Sequence, residues 1–313
     1  MPNLSYIRDA VPVAVLKSEL TPERFVRKTN KLNNEIYIVN IHNAPNVLQE
    51  IGRLRELTFA SADGGTGNPV DLDELDLNDN PYQQLIVWNP VEEEIVGGYR
   101  FIDCSTIIPS KNWEHGLSMG HYFSFKPSFI ENYLPYSIEL GRSWVQPKYQ
   151  PKEDPRKGLF AMDNIWDGLG AIVRSYPNLK YFYGKVTMYT TYDVEARNIL
   201  LNFMHHYFPD QVGLMKPIHP IDIPATPEVL DQFPLDRDHF EESYKAGFKA
   251  LNNLLGERGE TIPPLIKLYM SLSPSMKTFG TCVNPDFGAV EETGILIEID
   301  DIYLQKKERH LQF

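Results

Sequence analysis

Two ionisable residues, Glu139 and Arg142, interrupt a stretch that otherwise reads as a buried strand, Tyr-Ser-Ile-Glu-Leu-Gly-Arg-Ser-Trp-Val at 136–145. Ile138, Leu140, Trp144 and Val145 are strand formers. An ionised side chain inside a sheet is costly unless it is paired. The two charges are therefore either a structural ion pair or part of a chemical site. Desolvation would raise the Glu139 pKa and Arg142 would lower it, and the sequence leaves that balance open.

Other residues of the same chemical type recur along the chain. Arg55 and Phe59 are four apart and share a helix face near its end. Arg100 is a second charge inside an apolar strand, 95–102. The run 71–79 carries Asp71, Asp73, Glu74, Asp76 and Asp79 and reads as a solvated acidic loop or a cation-binding loop. It lacks the glycine and terminal glutamate of an EF-hand, and no metal site is expected. The segment 146–158 is rich in proline and basic, with Lys148, Lys152, Arg156 and Lys157 ahead of a helix. A basic, glycine-containing loop leading into a helix N-terminus is a natural seat for phosphate groups. It is not a Walker loop, because no Gly-Lys-Ser/Thr is present.

These residues need a mixed sheet with helices to position them. Residues 1–33 read as a polar arm with one short helix, capped at Thr21 with Pro22 in its first turn. Residues 35–39 form a first strand, and a helix follows from Asn43 with Val47, Leu48, Ile51 and Leu54 on its apolar face. Residues 82–88 and 95–102 form a hairpin, and 118–125 adds a short strand. After the 136–145 strand, the spacing of Ile165, Leu169, Ile172 and Tyr176 predicts a helix over 163–176, capped by Asp163. A strand at 181–188, helices at 193–208 and 238–255, a helix or turn at 263–272 and a last strand at 294–299 complete the chain. Helices alternate with strands and hairpins also occur, so the fold class is α/β with α+β character.

Composition sets limits. A chain of 313 residues with 42% apolar and 23% charged residues is globular and forms one large domain or two small ones. The net charge of −12 argues against a nucleic-acid partner. The cysteines, Cys104 and Cys282, allow at most one bridge, which fits a reducing cytoplasm. Arg8, Asp9, Lys17 and Glu19 break up the only apolar run near the start, so no signal peptide is read there. No stretch approaches the roughly 18 apolar residues of a membrane span. The expected location is the cytoplasm, with peripheral contact at the inner membrane surface allowed.

The order of these motifs resembles a known family. Arg-x-x-x-Phe (Arg55, Phe59) is followed by Asp-x-x-Asp (Asp73, Asp76), Gly-Gly-Tyr-Arg-Phe-Ile (Arg100) and Glu-Leu-Gly-Arg (Glu139, Arg142), then a loop and a helix containing Trp166. This is similar to the acyl-homoserine lactone (autoinducer) synthases and, more closely, to the "hemolysin-like" ornithine-lipid and glycine-lipid synthases. Both have the GNAT acyl-CoA N-acyltransferase fold. The resemblance covers about residues 35–210 and continues weakly through 263–269 and Asn-Pro-Asp-Phe-Gly at 284–288. The usual Gln/Arg-x-x-Gly-x-Gly/Ala loop is not cleanly present after Val145, and Arg156-Lys157-Gly158 is the nearest approach.

The resemblance implies a mixed central sheet flanked by helices, with an arm over 1–34, a GNAT core over 35–215 and a C-terminal extension over 216–313 packed on the core. It implies acyl transfer from a thioester to the amine of an amino acid, in aminolipid biosynthesis. The donor would be the phosphopantetheine thioester of acyl-carrier protein or CoA, with no cofactor bound permanently. Glu139 would take the amine proton, with Arg142 as its catalytic companion, and Arg55, Phe59, Asp73, Asp76 and Arg100 would surround the amine. The pantetheine arm would lie between splayed strands 136–145 and 181–188, near Val145, Arg156, Lys157, Gly158 and Trp166. Trp144, Phe160, Trp166 and Phe182 are candidates to line an acyl tunnel, or are plain core aromatics. Two other outcomes stay open: an acyltransferase making a soluble acylated signal, and a non-catalytic GNAT-like binding protein.

Overall fold

The computed structural model describes residues 4–150, 155–224 and 227–310; the side chains of 155–157 and Leu159 lie outside what it describes. Its centre is an eight-stranded sheet. The strands are β1 (Phe25–Lys28), β2 (Glu35–Val39), β3 (Gln83–Asn89), β4 (Glu94–Asp103), β6 (Ser137–Val145), β7 (Tyr181–Met188), β9 (Lys277–Asn284) and β10 (Val290–Glu298), and β5 (Phe123–Phe125) pairs separately with β8 (Met215–Pro217). The order across the large sheet is β1-β2-β3-β4-β6-β7-β10-β9. Every neighbouring pair is antiparallel except β6 and β7.

The β3–β4 hairpin closes through an Asx turn, in which Asn89 Oδ1 accepts from the N–H groups of Val91 and Glu92. Helices α1 (Val13–Glu19), α2 (Pro45–Ala60), α3 (Glu74–Leu77) and α4 (Pro127–Asn132) precede β6. Helices α5 (Pro155–Ser175), α6 (Val194–Tyr207), α7 (Pro227–Leu230), α8 (Phe240–Gly256), α9 (Pro264–Met270) and α10 (Leu304–His310) follow it.

Side chains alternate across the sheet, so each face builds its own core. Leu85, Val96, Tyr99, Ile138, Phe182 and Ile297 pack with α5, α6 and α8 on one face. On the opposite face Ile86, Trp88 and Trp144 pack with α2, while Ile102, Tyr183 and Leu296 pack with α4 and the irregular segment around Met119. The charged residues of interest lie on this second face.

Several elements differ from the sequence expectation. Residues 21–24 form a turn that feeds β1, and the arm's helix is α1, started at Pro12 in the apolar run. The predicted helix at 163–176 begins earlier, at Pro155, which suits the first turn because proline has no N–H to leave unpaired. Asp163 is therefore inside α5 and does not cap it. β9 is a strand that periodicity did not reveal; its partner β10 lies between it and β7, so the C-terminal segment completes the sheet.

Candidate active site

The parallel ladder between β6 and β7 is short. It joins Ser137–Leu140 to Tyr181–Gly184 and then stops. Beyond that point β6 follows β4 as far as Val145, and β7 follows β10 as far as Met188. The two strands thus form a fork in the middle of the sheet. Glycine is required at the crotch, because a Cβ on Gly184 would sit 2.3 Å from the Leu140 carbonyl oxygen.

β6 bulges as it leaves the fork. Gly98 pairs with Trp144 and Arg100 with Gly141, so Arg142 and Ser143 together face Tyr99 alone. Arg142 has φ +48°, a left-handed conformation that costs a non-glycine residue of order 1–3 kcal/mol. The strain persists because the side chain is held from two sides. Its Nε lies 3.0 Å from Asp71 Oδ2, and its guanidinium stacks 4.1 Å over the ring of Phe287.

Asp71 is the hub of a buried network. Its Oδ2 also accepts from Arg55 Nε at 3.0 Å. Arg55 Nη1 reaches Asp76 at 3.3 Å, and Asp76 accepts from Arg100 Nη1 at 3.0 Å and from Gln84 Nε2 at 2.8 Å. Arg100 Nη1 also donates to Asp73 at 2.7 Å. Three guanidinium groups thus face three carboxylates. Burial works to raise the pKa of Asp71, but Arg142 and Arg55 beside it prevail and hold it below the usual range. Asp73 is likewise held low, against burial, by Arg100 first. The short helix α3 is part of this assembly, since Asp73 and Asp76 form its capping box. The acidic run is therefore only partly solvated: Glu74 and Asp79 are exposed, while Asp71 and Asp76 are fully buried and spent on arginines.

The network brings together Arg55, Asp73, Asp76, Arg100 and Arg142. Phe59, one turn after Arg55 on α2, touches it through an edge-on contact with Phe287 at 5.0 Å. A direct Glu139–Arg142 ion pair is not formed. Arg142 turns to the acidic run, because its bulged backbone aims it at Asp71 and not along the strand.

Glu139 is 1% exposed. Tyr82 Oη donates to its Oε1 at 3.0 Å, the Met119 N–H to the same oxygen at 3.2 Å, and Tyr183 Oη to Oε2 at 2.9 Å. Burial raises its pKa, and the hydrogen bond from Tyr183 only partly opposes this. Burial also lifts Tyr183 and Tyr82 well above 10. The result is a buried carboxyl of raised pKa, ringed by hydroxyls that stay protonated.

A second polar cluster faces the fork from β7 and β10. Lys185 Nζ lies 2.7 Å from Glu292 and 4.1 Å over the Tyr122 ring. Asn284 donates to Glu292 and accepts from Tyr122 Oη at 2.8 Å. Sequence reasoning missed Asp71, Tyr82, Tyr183, Lys185, Glu292 and Phe287 as site residues. Only the Asn-Pro-Asp-Phe-Gly segment and the acidic run carried any signal for them.

Of the residues assigned to the donor, Val145 closes β6 beside Gly97, and Gly158 is buried in the first turns of α5. The side chains of Arg156 and Lys157 lie outside the described residues. Lys148 is engaged by Glu92 and Glu94. Trp166 and Phe182 line one apolar pocket beside the fork. Trp144 is on the opposite face, against α2, and Phe160 does not line the pocket.

Strands that part in mid-sheet, with a strained bulge at the parting and a buried carboxyl beneath it, accompany a sequence match that makes this an acyltransferase of the GNAT type. The acetyltransferase (GNAT) domain profile matches residues 54–156. The chain is 49% identical over 298 residues to a glycine N(alpha)-acyltransferase of Bacteroides thetaiotaomicron, covering 95% of this chain and 87% of that protein. It is 45% identical over 298 residues to a protein of the same name from Phocaeicola vulgatus, covering 95% and 90%. No solved structure matches it significantly. The chain belongs to the family of these N-acyltransferases.

Proposed function

We propose that this enzyme transfers a fatty acyl group, hydroxylated or not, from a phosphopantetheine thioester to the amine of glycine. The observation that carries this reading is Glu139, a buried carboxyl of raised pKa directly beneath the strand fork. The similarity to proteins named for glycine N-acylation supports glycine as the acceptor.

In the proposed reaction the pantetheine arm lies in the fork between β6 and β7. The neutral amine nitrogen attacks the thioester carbonyl, forming the C–N bond. Backbone N–H groups at the fork, where the ladder ends, stabilise the oxyanion. The C–S bond then breaks and the thiolate takes a proton. Glu139 accepts the amine proton directly or through a water, and Tyr82 and Tyr183 hold it in place. Arg142 and the arginine–aspartate network fix the acceptor's orientation.

The donor is acyl-carrier protein or CoA, and the product is an aminolipid precursor made at the inner membrane surface. Among the described residues no helix is long and apolar enough to cross a membrane. The docking region for the carrier is the basic segment up to Arg156 and Lys157, where positive charge would steer an acidic carrier.

The test is incubation of the purified enzyme with glycine and hexadecanoyl donors, followed by mass spectrometry and solvent partition. An N-acylglycine that partitions into the organic phase supports the reading. A different acylated amine, or a water-soluble product, overturns the acceptor or the lipid assignment. Charge reversal of Arg156 and Lys157 should raise KM for the carrier-linked donor more than for acyl-CoA. Equal effects would remove the carrier-docking idea.

A further inference from the structure

Lys185 is the first residue of β7 past the ladder's last rung, the pair of Leu140 and Gly184. Alternation puts it on the same face as Tyr183, which donates to Glu139, and two residues of strand separate the two by about 7 Å. A second connection gives a similar spacing. The 3₁₀ turn Met119–His121 crosses over these strands, since a Cβ on Gly294, the β10 partner of Lys185, would meet Phe123 at 3.0 Å and Met119 at 3.1 Å. The Met119 N–H donates to Glu139, and the Tyr122 ring, three residues on, lies 4.1 Å from Lys185 Nζ. Three residues of 3₁₀ helix rise about 6 Å. The carboxyl and the lysine thus flank the opening of the fork, with a gap that one small amino acid bridges.

The Lys185 side chain is only 9% exposed. Among the described residues its partners are Glu292, 2.7 Å from Nζ, and the face of Tyr122. An ammonium carries three N–H donors, so capacity is left for a further acceptor. The surroundings hold the group still. Glu292 accepts from Asn284 Nδ2 at 3.2 Å, and Asn284 Oδ1 accepts from Tyr122 Oη at 2.8 Å. Arg142, the cation that borders the fork from β6, is already bound by Asp71 and covered by Phe287.

We infer that Lys185 binds the carboxylate of the amino-acid acceptor, and that Glu292, Asn284 and Tyr122 hold it in position to do so. The inference rests on the glycine-acylation reading above and names the group that selects an amino acid over a simple amine. With its carboxylate on Lys185, the acceptor directs its amine toward Glu139 and the fork. A nitrogen fixed at both ends of a short molecule is oriented for attack. An acceptor without a carboxylate leaves the buried ammonium short of an acceptor and binds less well.

The test compares glycine with glycinamide, which keeps the amine and lacks the carboxylate. The ratio of their specificity constants is measured with one acyl donor in the wild type, Lys185→Gln and Lys185→Arg. Intrinsic differences between the two amines cancel between variants. The ratio should fall at least about tenfold in Lys185→Gln, with KM for the donor unchanged, and largely recover in Lys185→Arg. Equal losses for both acceptors overturn the assignment, because a lysine that only supports the fold does not discriminate between them. Lys185→Gln strands Glu292, so the double variant Lys185→Gln with Glu292→Gln, which removes both charges, must show the same fall. Calorimetric titration of glycine in the presence of CoA reads the site without turnover. If the wild type transfers nothing to glycine but binds it, and the double variant does not, the acyl-transfer reading fails while the carboxylate site stands. If glycine is acylated and its preference over glycinamide survives in both variants, the site fails while the reading stands. Neither transfer nor binding of glycine overturns both.

Discussion

The Arg142 guanidinium lies over the ring of Phe287, 4.1 Å from its centre, and so joins the β6 bulge to the turn between β9 and β10. A residue from the last strands of the chain thereby holds a strained residue at the fork. Phe287 in turn meets Phe59 of α2. The aromatic ring is thus the hinge between the charge network and the C-terminal hairpin.

Replacing that ring should be felt at the site. A cation–π contact of this kind is worth about 0.5–2 kcal/mol. Phe287→Ala should lower kcat/KM by roughly tenfold and also cost stability, because a buried ring is lost. Phe287→Tyr keeps the aromatic face and should restore most of the activity. Phe287→Leu restores packing without the face; if it rescues as well as tyrosine does, the contact with Arg142 is irrelevant to turnover.

Glu139 makes two linked predictions. In the proposed role of proton acceptor it must be ionised, so kcat/KM should rise with pH along an acid limb placed above the ordinary carboxyl value near 4.5. Glu139→Gln should reduce turnover by at least roughly a hundredfold and abolish that limb. The stability effect has the opposite pH trend. A carboxyl with a raised folded-state pKa stabilises below its unfolded pKa and loses that contribution as pH rises through the folded value. The stability of the wild type relative to Glu139→Gln should therefore decline over this interval. Near-wild-type turnover in the glutamine variant would remove the base assignment.

The arginine–aspartate network should behave as a unit. Asp76 contacts both Arg55 and Arg100 at nearly zero exposure, so Asp76→Ala leaves two buried cations short of charge. Removing one partner of a buried pair costs about 3–5 kcal/mol, measurable by urea unfolding. Asp71 and Asp73 have depressed pKa values, so their contribution is present above the unfolded value and is lost only as pH falls through the folded one. Acid unfolding curves of Asp71→Asn and the wild type should therefore converge at low pH and differ most near neutrality. Parallel curves would exclude this linkage.

Gly184→Ala tests the fork itself. The added Cβ meets the Leu140 carbonyl oxygen, a backbone atom that cannot turn away. The strands must part at their last shared rung, at a cost of about 1–3 kcal/mol. Transfer activity should fall more than thermal stability alone accounts for when both are measured well below the melting transition. Activity retained in full would mean that the crotch geometry is not used.

Much of the sheet was legible because hydrophobic alternation is local. The strands at 35–39, 82–88, 95–102, 136–145 and 181–188 follow from it, and each appears at nearly those positions. The oddity of Glu139, Arg142 and Arg100 was legible too, since a charge in an apolar run is visible without coordinates. β9 was not, because Thr, Gly, Cys and Asn dilute its apolar pattern.

What the sequence by itself determined was the set of unusual charges and the order in which they occur. The tertiary structure alone decided whom they meet. Glu139 and Trp144 are five positions apart, so strict alternation would place them on opposite faces. The extra residue of the bulge puts both on the same face, and it turns Val145 to the other. Arg142 is thereby aimed at Asp71 and Phe287, and Glu139 is left to Tyr82 and Tyr183. A bulge depends on the register of the partner strand, and a cation–π contact depends on how a distant hairpin packs. Neither is written in the local spacing of residues, so both had to wait for the folded chain.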